Sequence, residues 1–319
     1  MAKPVENKIY NEDILSYLKR LPDRSVDLFI LDPPYYRVVN DEWDNQWKSY
    51  SEYHSWCMEW FKEIERTSKY STSLYLFGFS YQLTRLLGSI VDLGFDFRQQ
   101  IIIDKGLQSV AGRTSPMLKM FPTATESIFF LCYNSTEYLK TILNNEKDKI
   151  DLSAKEINEY LGKASNGGGT WSSIAGKKQM TRSQPTREDW DKLNKLFSQN
   201  LPDYDDVVFK FNGSSGLTDV WTDINFYDRK VKKIHPTQKP GKLIDRLVVA
   251  SSNENDLVVD PFMGSATTAM SCIKNNRRYS GCEIDKEYYT ASIKRIENRK
   301  WESFDKAADK INALDDFFT

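Results

Sequence analysis

Four consecutive residues, Asp32-Pro33-Pro34-Tyr35, combine a carboxylate, two rigid prolines and an aromatic ring. They follow the apolar run Val26–Leu31, and a short apolar run stopped by prolines predicts a buried strand and a rigid turn. Open α/β sheets bind ligands at the carboxyl ends of their strands. The prolines remove two N–H donors, so the turn offers acceptors beside a ring that can stack. This set suits an exocyclic amino group on a flat base; a strand-ending turn with a buried tyrosine is the alternative.

A second group of residues runs from Asp260 to Thr268, where a predicted strand enters a turn of small residues and then a helix. Small residues let a ligand approach the backbone, and a helix N-terminus can bind a carboxylate. The next predicted strand ends near Glu283, a place where an acid can accept the hydroxyls of a ribose. The dinucleotide fingerprint and the P-loop are both absent from the sequence, which argues against NAD and ATP. A plain βαβ unit with an exposed acid is the alternative.

The third group is the polar hexapeptide His235-Pro236-Thr237-Gln238-Lys239-Pro240, directly before a predicted helix. Its lysine can bind an anion. Taken alone, the hexapeptide fits a loop that caps the helix equally well.

Hydrophobic periodicity places these motifs in two α/β parts that flank a different middle. Strands are predicted at 26–31, 73–77, 100–103, 127–133, 256–260 and 279–284, and helices at 13–21, 53–64, 243–248, 266–273 and before 299. Between 135 and 232 the pattern changes to charged helices and a glycine-rich loop without strand–helix alternation. This segment is predicted to be an insertion or a second domain.

The composition is that of an ordinary globular protein, with 319 residues, 40% hydrophobic residues and 28% charged residues. The N-terminus has no apolar signal region and no long apolar run occurs, so a cytoplasmic protein with no membrane association is expected. Four cysteines far apart and only two histidines argue against a metal site.

Positive charge is concentrated although the net charge is only −1. Three segments contain basic residues and no acidic ones, namely 105–121, 162–187 and 229–242. Such clustering could form a positive face that attracts a polyanion. Chance charge runs on a solvated surface are the alternative.

In this order, the three motifs resemble the β-type amino-group DNA methyltransferases that use S-adenosylmethionine. The resemblance covers about residues 7–134 and 233–300. It implies an α/β, Rossmann-like methyltransferase fold with a mixed, mostly parallel seven-stranded sheet, helices on both faces, a circularly permuted motif order and an inserted target-recognition region. The implied parts are the catalytic part (1–134), the target-recognition region (135–232), the cofactor-binding part (233–300) and a C-terminal tail (301–319).

The resemblance also implies residue roles in catalysis. Asp32 and the carbonyl of Pro33 would accept hydrogen bonds from the target amino group, with Pro34 completing the turn. Tyr35 would stack on a base that has left the duplex. Acceptors that pull the N–H bonds out of plane would localise the amine lone pair toward the methyl group.

The implied cofactor-binding residues are Asp13, Thr237, Lys239, Asp260, Phe262, Gly264, Ser265, Thr267 and Glu283. Glu283 would hold the ribose, while Thr237 and Lys239 would face the methionine part. The ring of Phe262 could contact the sulfonium. Asp13 would lie near the adenine, or simply cap the first helix.

One position departs from the family pattern, because Ala266 stands where a second glycine is usual. Alanine keeps the backbone approachable but tolerates a positive φ poorly. The turn is therefore expected to differ, with cofactor affinity the property affected.

The implied partner is double-stranded DNA, with a cognate restriction endonuclease and a homodimer as further expectations. Arg113 and Lys119 are predicted to lie on a loop that clamps DNA, and Lys177, Lys178 and Arg182 to belong to the recognition region. Aspartate at the first motif position favours the N6 amino group of adenine. The alternatives are N4 methylation of cytosine, a non-catalytic DNA-binding protein that retains the fold, and an RNA or protein amide methyltransferase.

Overall fold

One eight-stranded sheet with helices on both faces organises the part of the chain that the computed structural model describes, residues 6–36, 44–110, 121–163, 169–176, 184–213, 217–228, 231 and 233–298. The strands are β1 (Lys8–Asn11), β2 (Val26–Leu31), β3 (Ser68–Gly78), β4 (Phe95–Asp104), β5 (Thr125–Tyr133), β6 (Val220–Trp221), β7 (Leu257–Asp260) and β8 (Arg278–Glu283). The helices are α1 (Ile14–Leu18), α2 (Tyr50–Thr67), α3 (Ser80–Asp92), α4 (Thr136–Ile150), α5 (Ala154–Tyr160), α6 (Thr170–Ile174), α7 (Arg187–Leu196), α8 (Tyr204–Val207), α9 (Gly241–Ala250), α10 (Thr267–Lys274) and α11 (Lys286–Asn298).

The strand order is β1-β8-β7-β2-β3-β5-β4-β6. All neighbours are parallel except β5, which runs antiparallel to both β3 and β4. The predicted α/β class with a mixed, mostly parallel sheet is confirmed. The sheet has eight strands rather than the predicted seven, because two-residue β6 pairs with β4 and is too short to show strand periodicity.

Strand β2 lies at the centre of the sheet, and all six of its residues are buried. Leu28 and Ile30 face a core formed with α9 and α10, whereas Phe29 and Leu31 face a second core formed with α1, α2 and α3. A parallel strand covered on both faces needs apolar residues in both directions, which explains its unbroken apolar run.

The helix predicted from the spacing of aromatic residues is confirmed as α2, and Tyr53, Cys57 and Trp60 are buried on one of its faces. Helix α3 was not predicted, although its buried residues Leu83, Leu86 and Ile90 have helical spacing. Strand β1 was also missed, because four residues give too short a pattern.

The parallel strands β2, β7 and β8 all end at one edge of the sheet, which we call the carboxyl edge. Because β5 is antiparallel, it begins at this edge and ends at the opposite one, where β3 starts. Helices α4–α8 follow β5 and share a separate apolar cluster. They pack at the opposite edge, where Tyr138 stacks on Tyr70 with ring centroids 3.6 Å apart. Residues 217–228 then return along β4 toward the carboxyl edge.

None of the helices that the structure describes has the length and apolarity needed to cross a membrane. Among the same residues, no group of three or more His, Cys, Asp or Glu side chains could hold a metal ion. The four cysteines are buried free thiols.

A buried charge network fixes the start of β2. Asp27 accepts hydrogen bonds from Lys69 (3.0 Å) and Lys210 (3.1 Å), and its other oxygen accepts one from the backbone N–H of Leu257 (2.9 Å). Lys210 also pairs with Asp256 at 2.7 Å. One carboxylate thus joins β2, β3, β7 and the end of the inserted helices.

Replacing Asp27 by Asn should lower the free energy of unfolding by about 1.5–3 kcal/mol, because Lys69 and Lys210 lose their shared anion but keep Asp206 and Asp256 as partners. Urea denaturation of the wild type and Asp27→Asn measures the difference. A loss below about 1 kcal/mol, the size of a surface ion pair, would contradict the structural role given to the network.

Candidate active site

The carboxyl edge brings together the sequence motifs that lie at the two ends of the chain. Strands β2 and β7 are neighbours, with Phe29 opposite Val259, so Asp32 and Asp260 follow adjacent strands. The catalytic motif comes after β2, the loop 261–266 after β7, Glu283 ends β8, and Asp13 follows β1. Residues 32 and 264 therefore belong to the same edge of the sheet. The roles assigned to these residues stay predictions.

The carboxylate of Asp32 is held by two donors. Its Oδ1 accepts a hydrogen bond from the hydroxyl of Tyr35 at 2.8 Å, and its Oδ2 lies 2.8 Å from Nζ of Lys239. The side chain of Asp32 keeps 22% of its surface exposed, against 10% for Lys239. An oriented, partly accessible carboxylate is suited to accept an N–H from a ligand.

Glu126, at the start of β5, contacts both donors. Its Oε1 lies 3.0 Å from Nζ of Lys239 and accepts at 3.3 Å from the hydroxyl of Tyr35, while its Oε2 lies 3.0 Å from Nζ of Lys105. Two carboxylates and two ammonium groups thus form a cluster without net charge. Sequence analysis missed Glu126 and Lys105 as site residues, although an acid at the start of an antiparallel strand must lie at this edge.

Burial and the neighbouring charges shift the pKa values of the residues in this cluster. Burial raises the pKa of Glu126, but Lys239 and Lys105 outweigh burial and bring it down to about 2. Burial lowers the pKa of Lys239, and the anions Asp32 and Glu126 reverse this and raise it above its ordinary value. Burial and the same two anions raise the pKa of Tyr35 well above that of a free phenol. Near neutral pH Lys239 is therefore a cation and Tyr35 a hydrogen-bond donor.

The turn after β2 is fixed from two sides. The carbonyl of Pro34 accepts a hydrogen bond from the hydroxyl of Tyr53 on α2 at 3.1 Å, and Pro33 is buried. The ring of Phe79 meets the ring of Tyr35 edge to face at 5.6 Å. Both the backbone and the aromatic ring of the motif are thereby held in place.

The loop after β7 is organised by two acids. Asp260 accepts from the backbone N–H of Phe262 (2.9 Å) and from the hydroxyl of Thr268 (2.6 Å). Glu283 accepts from the backbone N–H of Gly264 at 2.8 Å. Burial is the main reason that the pKa of Asp260 rises to about 7, and it also raises the pKa of Glu283.

Ala266 adopts the left-handed conformation, with φ 60° and ψ 28°, directly before α10. Alanine therefore occupies a backbone conformation that favours glycine, and a turn that differs from the one usual in the family stays a prediction. The conformation costs alanine about 1 kcal/mol. Its methyl group is fully buried, and burial of that group offsets part of the cost.

The remaining predicted cofactor residues surround this loop. Asp13 caps α1, because its Oδ1 accepts hydrogen bonds from the backbone N–H groups of Leu15 and Ser16 at 3.0 Å each. Helix capping was one of the two interpretations of this residue in the sequence analysis. The ring of Phe262 packs edge to face on Trp60 at 5.5 Å. Ser265 and Thr267 share a hydrogen bond at 3.1 Å. Arg295 from α11, which sequence analysis missed, donates to the carbonyl of Ser265 at 2.7 Å.

The hexapeptide before α9 crosses from this loop to the catalytic motif. The carbonyl of Lys239 accepts from the hydroxyl of Thr267 at 3.4 Å, while the ammonium group reaches Asp32. Thr237 is exposed and lies beside His235. Lys239 therefore contacts the carboxylate of Asp32 in this structure, a contact that the motif alone did not predict.

The five predicted DNA-binding residues, Arg113, Lys119, Lys177, Lys178 and Arg182, lie outside the described residues. Among the described basic residues of the three basic segments, five are ion-paired, namely Lys105, Lys163, Arg187, Lys239 and Lys242. Lys233 is exposed. In the described residues, the basic segments therefore contribute largely to internal ion pairs rather than to a positive face.

Asp260→Asn should change the pH dependence of stability. The folded pKa of Asp260, about 7, lies above its ordinary value of 3.8, so the stability linked to its proton is present below pH 4 and is lost as the pH rises through 7. Asparagine does not titrate; its Oδ1 can accept from the backbone N–H of Phe262, and its Nδ2 can donate to the hydroxyl oxygen of Thr268 in place of the bond that Thr268 donates to Asp260. Without added ligands, the unfolding free energy of the wild type should therefore fall relative to Asp260→Asn by about 2 kcal/mol or more between pH 5 and pH 8. Urea denaturation at each pH gives the unfolding free energies. If the two proteins show the same dependence on pH, the buried Asp260 does not have a raised pKa.

Several known proteins resemble this chain over most of its length. M1.MboII, a type II methyltransferase of Moraxella bovis, is 27% identical over 284 residues, which cover 88% of this chain and 93% of the relative. Two solved structures share the fold. The complex of M1.HpyAVI with S-adenosylmethionine has a TM-score of 0.52 at 17% identity, covering 90% of this chain and 98% of the other. The cytosine-N4-specific PvuII DNA methyltransferase has a TM-score of 0.51 at 18% identity, covering 98% and 93%.

The model of the N6/N4 DNA methylase family matches residues 26–294, which include the catalytic motif, the hexapeptide and the loop after β7. The chain therefore belongs to the N6/N4 family of DNA methylases.

Proposed function

We propose that this protein transfers a methyl group from S-adenosylmethionine to the exocyclic N6 amino group of adenine in double-stranded DNA. The observation that carries the proposal is the carboxylate of Asp32, oriented by Tyr35 and Lys239 at the same edge as the loop after β7. This arrangement suits the transfer of a group between two ligands that meet at one edge of a sheet.

The residues after β7 and β8 fit the cofactor chemically. Asp260 and Glu283 supply acceptors for hydroxyl and ammonium groups, and Gly264, with φ 49°, has no close neighbour where a side chain would begin. A Cβ built at Gly264 would come no closer than 3.8 Å to any atom outside its immediate neighbours. When bound, S-adenosylmethionine supplies a methyl group activated by a sulfonium cation. Glu283 would hold its ribose, and Asp260, Phe262, Gly264, Ser265 and Thr267 would line it.

The catalytic motif prepares the amine. An exocyclic aromatic amine is a weak nucleophile, since its lone pair is delocalised into the ring. Asp32 and the carbonyl of Pro33 would accept its two N–H groups and localise the lone pair on nitrogen. Positioning and electrostatics carry the reaction, and no covalent link to the enzyme is needed. Tyr35, whose hydroxyl is held by Asp32 and Glu126, would support the flipped base with its ring.

Methylation of the N4 amino group of cytosine is the second candidate, because the fold is shared with the cytosine-N4-specific PvuII enzyme. The aspartate at position 32 favours adenine. Incubation with labelled cofactor and mixed-sequence DNA, hydrolysis to nucleosides and mass determination would distinguish the two. DNA binding without any methyl transfer would instead favour a non-catalytic binder. A cognate endonuclease, a homodimer and a cytoplasmic location stay predictions.

Asp32→Asn should reduce methyl transfer by at least about 100-fold, because an amide accepts the amino protons less strongly and cannot take up the released proton. Cofactor binding should still be detected by calorimetry, since Asp32 is not among the predicted cofactor residues and affects them only through its ion pair with Lys239. Transfer at a rate near that of the wild type would remove Asp32 from the mechanism.

Changing Arg113, Lys119, Lys177, Lys178 and Arg182 together to Gln should weaken DNA binding and reduce its salt dependence by about 0.9 in the log–log slope per lost phosphate contact. The matched control replaces Lys140, Lys149 and Lys192, which already pair with glutamates on their own helices. Binding titrations at several salt concentrations give both slopes. If the five changes leave the slope unaltered, these residues do not bind DNA.

A further inference from the structure

Glu126 has no part in the proposed reaction as described so far, yet it contacts both side chains that hold Asp32. Its Oε1 lies 3.0 Å from the ammonium group of Lys239 and 3.3 Å from the hydroxyl of Tyr35. Those two groups in turn hold the two carboxylate oxygens of Asp32, at 2.8 Å each. One oxygen of Glu126 therefore lies behind both contacts that orient the catalytic carboxylate.

Building on the proposed methyl transfer, we propose that Glu126 is a positioning residue that holds Lys239 and Tyr35 in the geometry that orients Asp32. It belongs to none of the three sequence motifs, since it comes from the start of β5. Its side chain is only 10% exposed, so it is held by the sheet rather than by solvent. Glu126 thus links the rigid antiparallel strand to a carboxylate on a turn.

Lys105 completes the arrangement. Two anions facing the single cation Lys239 would leave one negative charge in a largely buried place, which is costly. Lys105, from the segment after β4, contacts the second oxygen of Glu126 at 3.0 Å and neutralises it. Each oxygen of Glu126 is therefore assigned, Oε1 toward the site and Oε2 toward Lys105.

The geometry has a chemical consequence for Lys239. A flexible four-carbon side chain can place its ammonium group in many positions. Asp32 alone would hold it from one side only, whereas Asp32 and Glu126 hold it from two sides. If Glu126 loses its charge, Lys239 keeps Asp32 as its only anionic partner and can rotate around it, so Asp32 loses a donor with a fixed position. Such small misplacements are costly in reactions that depend on alignment.

Glu126→Gln should lower kcat about 10- to 100-fold with little change in the KM for cofactor or DNA. Glu126→Asp, which keeps the charge, should recover part of the loss. Because Glu126 acts in part through Lys239, the loss in the double variant Glu126→Gln/Lys239→Met should be clearly smaller than the product of the two single losses. The matched control is Glu65→Gln, which removes an acid that similarly contacts a basic residue and a tyrosine, Arg24 and Tyr133, at the opposite edge. Its kcat should equal that of the wild type.

Several results would overturn the positioning role. These are an unchanged kcat in Glu126→Gln, losses that multiply in the double variant, a loss in Glu65→Gln as large as in Glu126→Gln, or a loss that appears only in KM. If the wild type transfers no methyl group to any DNA, the proposed function fails, and a crystal structure of Glu126→Gln then tests the positioning role by itself. The ammonium group of Lys239 and the carboxylate of Asp32 should be displaced in that structure from the positions they have in the wild type, and unchanged positions would refute the role of Glu126.

Discussion

The parallel pairing of β7 with β2 is the constraint on which the site depends. The two strands are separated by more than two hundred residues in sequence, and Phe29 lies opposite Val259 in the register that joins them. The charge of Asp27 strengthens this pairing through the backbone N–H of Leu257. Because parallel strands end at the same edge, the pairing alone is enough to bring the carboxylate after one strand beside the turn after the other.

The fold could be predicted to the extent that local patterns record it. The buried run of β2 and the aromatic face of α2 are visible in the sequence because each has a clear periodicity. Strand β6 could not be found, since its two residues are a strand only because β4 lies beside them. The left-handed Ala266 was also out of reach, because the surrounding packing outweighs the preference of alanine.

The site residues also divide into those that a sequence motif reveals and those that only the tertiary structure reveals. The carboxylates of Asp32, Asp260 and Glu283 were found because each ends a predicted strand. Glu126 and Lys105 were missed, since their importance comes from a cluster that only tertiary structure forms. The basic segments are similar: the partners of Lys239 and Lys242, Asp32 and Asp223, are distant in sequence and are brought beside them only by the fold.

The antiparallel direction of β5 also determines where the chain can vary in length and sequence. Helices α4–α8 join the sheet at the end of β5, where Tyr70 and Tyr138 stack, one full strand length from the carboxyl edge. Segments attached there can lengthen, shorten or be exchanged during evolution without altering the spacing of the strand ends that carry the acids. The architecture thus separates a part free to diversify from a part whose geometry must be conserved.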